Sequence, residues 1–137
     1  MALFLLDTNI CIYIAKRRPP EVLARFESLQ PGEAALSVIT YGELRFGAEK
    51  SMSRTAALER LERLTEWVPV LSLPQDAAVH YGVIRATLEL QGRPIGANDL
   101  WIAAHALAAQ LTLISNNTRE FKRIPGLLLE DWVANST

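Results

Sequence analysis

The chain has 137 residues, of which 50% are apolar and 21% are charged, so its size and composition are those of one globular domain. Its formal charge is -1, from 14 basic and 15 acidic residues, which excludes a strong overall attraction to nucleic acid or to an anionic membrane. The single cysteine, Cys11, excludes an internal disulfide. We therefore expect one domain, residues 1–137, in the reducing cytoplasm and outside any membrane.

Strands and helices alternate along the sequence, as shown by apolar spacing and by turn signals such as Pro31-Gly32 and Gly92. Strands are predicted at 3–6, 34–37, 68–73, 111–115 and 127–130, and helices at 8–16, 21–29, 38–50, 51–67, 74–92, 98–110 and 118–121. Strands separated by long helices favour a parallel sheet that helices cover on both faces. We predict an α/β fold, a three-layer α/β/α domain with a small parallel sheet of four to five strands.

Four acidic residues are expected to meet at one edge of this sheet. Asp7 follows the first predicted strand, Glu43 lies in the helix after the second, and Asp99 begins a later helix. Glu120 follows the strand at 111–115, together with Asn116 and Asn117. In a parallel sheet with crossover helices, the carboxyl ends of strands and the amino ends of helices share one edge, where ligands bind.

Each of these residues also has a simpler interpretation. Asp7 or Thr8 is a common helix N-cap, and Asn98 with Asp99 forms an ordinary capping pair. Glu43 lies on a helix face that is predicted to be buried, where a single Arg partner would satisfy it. Glu120 has the pattern of a solvated helix charge. These alternatives weaken when the acids are considered together.

Carboxylates that converge in one notch repel each other and raise each other's pKa unless a cation offsets them. A few oxygen ligands with room for water suit Mg²⁺ or Mn²⁺ better than Zn²⁺, which prefers His or Cys. His80 and His105 have no recognisable ligand spacing, so both are expected to be structural or surface residues. The sequence thus predicts a magnesium or manganese site.

Four segments together resemble the PIN-domain nucleases, and specifically the VapC-type toxins of bacterial toxin–antitoxin pairs: "FLLDTNICIYI", "LSVITYGELRFGAEKS", "IGANDLWIAAHAL" and "LISNNTREFKRIPGLLLEDW". The resemblance extends from end to end and keeps the order of the family's motifs. It implies a Mg²⁺-dependent endoribonuclease that cuts structured RNA, usually transfer or ribosomal RNA, and inhibits translation until an antitoxin neutralises it.

The resemblance also implies residue roles. Its first three acids correspond to Asp7, Glu43 and Asp99, of which Asp7 and Asp99 would hold the metal. Many relatives have a fourth acid, an Asp, in the loop after the fourth strand, and the nearest carboxylate here is Glu120. The remaining neighbours of the acids, Thr8, Asn98, Asn116 and Asn117, would contact metal-bound water or RNA.

Two clusters of basic residues are candidates for binding RNA phosphates: Lys16, Arg17 and Arg18, and Arg119, Lys122 and Arg123. The alternative for the first cluster is complementarity to a helix C-terminus, and for the second a solvated helix face. If either cluster contacts phosphate, neutralising it should weaken binding and flatten its salt dependence.

The resemblance implies a VapB-like antitoxin whose tail brings a cation toward the acids, with operator DNA bound only through that antitoxin. Relatives are commonly homodimers, and a larger hetero-oligomer forms with the antitoxin. Exposed apolar residues on the first two helices and the long middle helix are expected to face the second copy.

Three other functions stay open: a phosphatase of the haloacid-dehalogenase type, a response-regulator receiver, and a catalytically idle PIN domain that binds RNA or protein. The first normally has a second Asp where this chain has Asn9.

Overall fold

The computed structural model describes residues 1–133, and the last four residues of the predicted domain lie outside this description. A parallel five-stranded sheet in the order β3-β2-β1-β4-β5 lies between layers of helices. The strands are β1 (Phe4–Leu6), β2 (Ala34–Ser37), β3 (Val70–Leu71), β4 (Thr112–Ile114) and β5 (Leu129–Glu130). The helices are α1 (Thr8–Lys16), α2 (Pro20–Glu27), α3 (Val38–Glu49), α4 (Arg54–Trp67), α5 (Asp76–Leu90), α6 (Ala97–Ala109) and α7 (Thr118–Phe121). The predicted α/β fold is confirmed.

The order of the strands in the sheet determines at which edge the candidate site lies. Because β1 pairs with β2 on one side and with β4 on the other, the segments that follow these three strands leave the sheet at the same edge. Those segments carry Asp7, Glu43, and Ser115 with the loop at 116–117. The order reverses at β1, between β2 and β4, which is the switch point where ligands bind in open α/β sheets.

The two edge strands are shorter than the sequence predicted. β3 has two residues instead of the predicted 68–73, and β5 has two residues instead of 127–130. Each pairs with a neighbour on one side only, so its backbone has half the ladder that holds β1, β2 and β4. The apolar pattern of the sequence indicates that these segments are partly buried, but it does not indicate where hydrogen bonding to the neighbouring strand ends.

Apolar side chains pack on both faces of the sheet. One cluster joins Leu5 and Leu113 to the buried sides of α5 and α6, and the other joins Leu6, Leu36 and Ile114 to α1 and α2. His105 of α6 is buried and its Nδ1 lies 2.8 Å from the Ser37 hydroxyl, so it is a structural residue, as predicted. Within residues 1–133, no helix combines the length and the apolar character needed to cross a bilayer.

Large apolar side chains are also exposed, mainly on α3 and α5. Val79, Val83 and Leu90 project from α5, and Val38 and Phe46 project from α3. The prediction of an exposed apolar surface is therefore correct for the long middle helix. It is wrong for α1 and α2, since in the described part of the chain their large apolar residues are at least half-buried.

Candidate active site

Asp7 connects three elements at the carboxyl end of β1. Its backbone N–H donates to the Ile114 carbonyl of β4 at 3.0 Å. Its Oδ1 accepts a hydrogen bond from the Ile10 N–H at 3.0 Å, which makes Asp7 the N-cap of α1. Its Oδ2 accepts a hydrogen bond from the Ser115 hydroxyl. The capping interpretation is correct for Asp7 and wrong for Thr8, because Thr8 is already the first helical residue.

Burial dominates the electrostatics of Asp7. The residue is only 6% exposed, and desolvation raises the pKa of its carboxyl, with the negative charge of Glu43 raising it further. The hydrogen bonds from Ser115 and from the Ile10 backbone act in the opposite direction and stabilise the ionised form. Asp7 is therefore a fixed carboxylate in a poorly solvated place, with opposing influences on its charge.

Glu43 is held by two neutral donors. The Thr8 hydroxyl donates to its Oε1, and the Asn98 amide donates to its Oε2 at 3.1 Å. Both donors were predicted site residues, and neither caps a helix: α6 begins after Gly96 with no side-chain cap. The alternative of an Arg partner for Glu43 is wrong, since no ion pair or hydrogen bond in residues 1–133 joins it to a cation.

The face of α3 that carries Glu43 is more open than predicted. Phe46 is 64% exposed and Gly47 is also exposed, although periodicity had placed this face in the core. It borders an open groove of about 880 Å³ between α1, α3 and α4. Glu43 and Thr8 line this α1–α4 groove, and so do the cations Lys16, Arg18 and Arg60. Arg60 was missed in the sequence because it lies in a helix that reads as amphipathic and solvated.

Asp99 lies in the first turn of α6, where the other acids influence it. Burial and the negative charges of Glu120, Asp7 and Glu43, in that order of size, raise the pKa of its carboxyl to about 6. The charge of Glu120 thus acts on Asp99 in the same direction as those of Asp7 and Glu43. We call Asp7, Glu43, Asp99 and Glu120 the acidic edge.

Ser115, the last residue before the loop at 116–117, is the main site residue that the sequence missed. It is fully buried, donates to Asp7 and accepts a hydrogen bond from the Asn117 N–H at 2.9 Å. The available signal was a hydroxyl directly after a buried strand, at the edge already assigned to Asp7. Asn116 donates to the hydroxyl of Tyr13 at 2.9 Å, which ties the same loop to α1.

The predicted basic clusters differ in how free their side chains are. Lys16 and Arg18 are exposed, while Arg17 approaches Glu27 at 3.7 Å on the surface. In the second cluster Arg119 and Lys122 are exposed. Arg123 is half-buried and donates to backbone carbonyls, so only the first two of that cluster have the free side chains that phosphate binding requires.

Cys11 is excluded as a nucleophile by its surroundings. It is fully buried, and burial together with the charge of Asp7 raises the pKa of its thiol well above the usual range. Such a thiol stays protonated and unreactive at neutral pH. The chemistry of this edge therefore depends on carboxylates, hydroxyls and amides.

The oxygen-rich donor set fits a hard divalent cation. Each ion pair in residues 1–133 lies away from the acidic edge, so no protein cation offsets its four carboxylates. In the same residues no three His, Cys, Asp or Glu side chains are spaced to hold an ion together. Mg²⁺ normally uses only one or two carboxylates and keeps several waters, so two direct ligands suffice.

The comparison with protein families gives a match to the PIN domain over residues 4–127. The chain belongs to the PIN-domain family. The curated proteins that it resembles are VapC ribonucleases. It is 45% identical to "Ribonuclease VapC1" of Haemophilus influenzae strain R2866, over 95% of this chain and 98% of the VapC1 chain. It is 46% identical to "tRNA(fMet)-specific endonuclease VapC" of Shigella flexneri over 96% of this chain and 99% of that one.

Solved structures give the same result for this PIN domain. It is similar to DNA-bound VapBC from Salmonella typhimurium, with a TM-score of 0.89 and 42% identity over 96% of this chain and 99% of that one. It is also similar to VapBC-1 from nontypeable Haemophilus influenzae, with a TM-score of 0.87 and 44% identity over 96% and 98% of the two chains. The predicted resemblance to the VapC type is confirmed.

Proposed function

We propose that the protein is a metal-dependent endoribonuclease that acts as the toxin of a toxin–antitoxin pair and inhibits translation by cutting structured RNA. The observation that carries the proposal is the acidic edge: the charges of Glu120, Asp7 and Glu43 raise the pKa of Asp99, and no ion pair in residues 1–133 joins any of the four to a Lys or Arg. Relatives named as a ribonuclease and a tRNA(fMet)-specific endonuclease support RNA as the substrate. Initiator tRNA is therefore the first substrate to test, with ribosomal RNA as the second.

In the proposed mechanism, Asp7 and Asp99 would hold Mg²⁺ or Mn²⁺, and Glu43 and Glu120 would orient water at the same edge. When bound, such an ion supplies a lower pKa for the attacking water and stabilises charge on the scissile phosphate. Thr8 and Asn98 hold Glu43 in place, and Ser115 holds Asp7. Because water attacks from outside the RNA, the expected products carry a 5′-phosphate and a 3′-hydroxyl.

The α1–α4 groove suggests how a polyanion meets a chain with no net positive charge. Its cations Lys16, Arg18 and Arg60 line the same groove as Glu43. They would contact RNA phosphates while the ions at the acidic edge offset its negative charge. The exposed Arg119 and Lys122, which flank Glu120 in the sequence, would extend this contact.

The proposed partners follow from the solved relatives. Those are VapBC complexes, some of them bound to DNA, so we propose a VapB-like antitoxin that covers the groove and carries the operator-DNA contact. A cation from the antitoxin would face the acidic edge. We propose a cytoplasmic homodimer in which the exposed residues of α5, Val79 and Val83, face the second copy. Light scattering of the isolated toxin measures that assembly.

The proposal is tested with purified protein, initiator tRNA and controlled metal. Cleavage should stop with a chelator, return with Mg²⁺ or Mn²⁺, and be absent from an Asp7→Asn variant of matched thermal stability. Equal cleavage by the variant and the wild type would indicate contamination or a different site. Products with a 2′,3′-cyclic phosphate would exclude attack by external water. A folded protein that binds RNA without cutting it would favour an idle PIN domain.

Ser115→Ala should weaken metal binding by about 10- to 100-fold, because neighbours that orient a metal ligand typically contribute that much. The variant removes a hydrogen bond that favours the ionised form of Asp7. The pKa of Asp7 should therefore rise further, and the acidic limb of the pH–rate profile should move to higher pH. Mn²⁺ titration and the pH profile of cleavage measure these effects.

Two variants control this experiment. Ser115→Thr keeps a hydroxyl and should retain most of the affinity, whereas Ser72→Ala removes an exposed hydroxyl and should change nothing. If Ser115→Ala kept both the wild-type Mn²⁺ affinity and the wild-type pH profile, Ser115 would have no part in holding Asp7.

A further inference from the structure

Arg123 is a basic residue of the second cluster whose side chain is used inside the protein. Its Nη1 donates to the carbonyl oxygens of Arg93 at 3.4 Å and Pro94 at 3.2 Å. Its Nε is buried and has no hydrogen-bond partner within residues 1–133. A guanidinium with one nitrogen buried and another donating to two carbonyls is poorly placed to hold a phosphate. The structure therefore gives Arg123 a different use from that predicted by its charge.

The two carbonyls belong to the segment that leads into α6. Arg93 and Pro94 follow the end of α5, and Asp99 is the third residue of α6. Ile95, between them, is buried in the same apolar cluster as Phe121 of α7 and Ile124. The entrance to α6 is thus attached to the region of α7 both by packing and by the Arg123 guanidinium.

The other end of Arg123 is attached to the fourth acid. Its backbone N–H donates to the carbonyl oxygen of Glu120 at 3.1 Å. One residue therefore links the turn that carries Glu120 to the segment that carries Asp99. Asp99 and Glu120, two of the four acids, are thus carried by the two segments that Arg123 joins. They come from elements about 20 residues apart, and nothing in α6 or α7 alone fixes their separation.

We propose that Arg123 is a positioning residue that fixes the separation of Asp99 and Glu120 by tying the 93–94 carbonyls to α7. The part of this proposal that concerns metal rests on the proposed function. Functional side chains must be held to within about 0.5 Å, and a supporting shell is what supplies that precision. Arg123 has no carboxylate partner in residues 1–133, so its role is a backbone clamp and not an ion pair.

The experiment compares Arg123→Ala and Arg123→Lys with Arg119→Ala, which removes an exposed cation from α7, the short helix just before Arg123. Mn²⁺ affinity is measured without RNA, from the rise in melting temperature during a titration. Hydrogen exchange of the amides at 92–97 reports on the clamp itself. Cleavage of initiator tRNA is measured at limiting and at saturating Mn²⁺, and RNA affinity is measured as a function of salt.

Arg123→Ala should weaken Mn²⁺ binding by about tenfold or more and accelerate exchange at 92–97. Its cleavage rate should fall at limiting Mn²⁺ and recover at saturating Mn²⁺, because the acids remain present. Arg123→Lys keeps the charge and a donor, but not the planar fork, and should be intermediate. Arg119→Ala should bind Mn²⁺ like the wild type and instead show a smaller salt dependence of RNA binding.

Two results would overturn the proposal. If Arg123→Ala bound Mn²⁺ normally and bound RNA more weakly with a reduced salt slope, Arg123 would be a phosphate ligand. If both Arg123 variants melted at a lower temperature but kept the wild-type Mn²⁺ affinity and the wild-type rate of amide hydrogen exchange at 92–97, the residue would have only a general structural role. Failure of the proposed function looks different: the wild type itself would show neither stabilisation by Mn²⁺ nor cleavage, while faster exchange in Arg123→Ala would still demonstrate the clamp.

Discussion

Asp99→Asn should make the metal-free protein more stable and should reduce the rate of RNA cleavage by at least about 100-fold. The loss of rate is expected because the variant loses several kcal/mol of transition-state stabilisation by the metal. Burial, followed by the charges of Glu120, Asp7 and Glu43, raises the pKa of Asp99 to about 6 from its usual 3.8. The ionised carboxylate therefore destabilises the folded state at neutral pH. After allowance for solvent screening of this half-buried group, the cost is about 1–2 kcal/mol, or several degrees in melting temperature.

The sign of the pH dependence follows from the direction of this shift. A carboxyl whose pKa is raised by folding favours the folded state most when it is protonated, and that advantage is lost as the pH rises through the folded pKa. The wild type and Asp99→Asn should therefore melt at similar temperatures near pH 4. The variant should become progressively the more stable of the two as the pH rises toward 7. Melting curves across this range, without metal, measure the difference.

Metal should reverse the order of stability. Mn²⁺ bound to the folded wild type raises its melting temperature by mass action, whereas a variant that has lost one of two direct ligands gains little. Asp76→Asn, at an exposed position in the first turn of α5, controls for the loss of a charge elsewhere. A variant that was less stable than the wild type at pH 7 would show that the acids do not repel each other, and one that still cut RNA normally would remove Asp99 from the metal site.

The acidic edge was predictable because it depends on connectivity. Once strands and long helices alternate, the positions after β1 and β4 and at the start of α6 must meet, whatever side chains they carry. Asp7, Glu43, Asp99 and Glu120 could therefore be grouped before any coordinates were known. What the sequence did not specify was the order of the strands, or where the short pairing of β3 and β5 ends.

The contacts within the edge were not predictable for a different reason. Glu43 is bonded by Thr8, 35 residues away, and by Asn98, 55 residues away, and no local pattern encodes such a pair. The exposure of the α3 face that carries Glu43 and Phe46 was predicted wrongly because periodicity identifies an apolar face but not whether another element covers it. Arg123 was assigned to RNA for the same reason: its charge is visible in the sequence, while the carbonyls that it binds are not.

Trp132→Ala should destabilise the protein by about 3–5 kcal/mol, the usual cost of deleting a large buried aromatic side chain. Trp132 is fully buried next to β1, with its ring centroid 5.7 Å from that of Phe4 in an edge-to-face arrangement. Its Nε1 donates to Glu130 at 3.1 Å, and the same carboxylate accepts from Arg25 of α2 at 3.0 Å. The indole therefore joins the last strand, the first strand and α2. Urea unfolding monitored by circular dichroism measures the loss.

A second variant separates the packing of this indole from its hydrogen bond. Trp132→Phe keeps an aromatic ring and loses the N–H, so it should cost about 1–2 kcal/mol, near the value of one hydrogen bond with a small loss of volume. Both variants leave the four acids and their hydrogen-bond donors in place, so at a temperature where each is folded the Mn²⁺ affinity should equal that of the wild type. If the free energy of unfolding of Trp132→Ala were within about 1 kcal/mol of the wild-type value, the segment around Trp132 would not be part of the cooperative core. Normal stability with lost metal binding would instead connect β5 to the site, through the Glu130 carbonyl that accepts from the N–H of Ser115 at 3.0 Å.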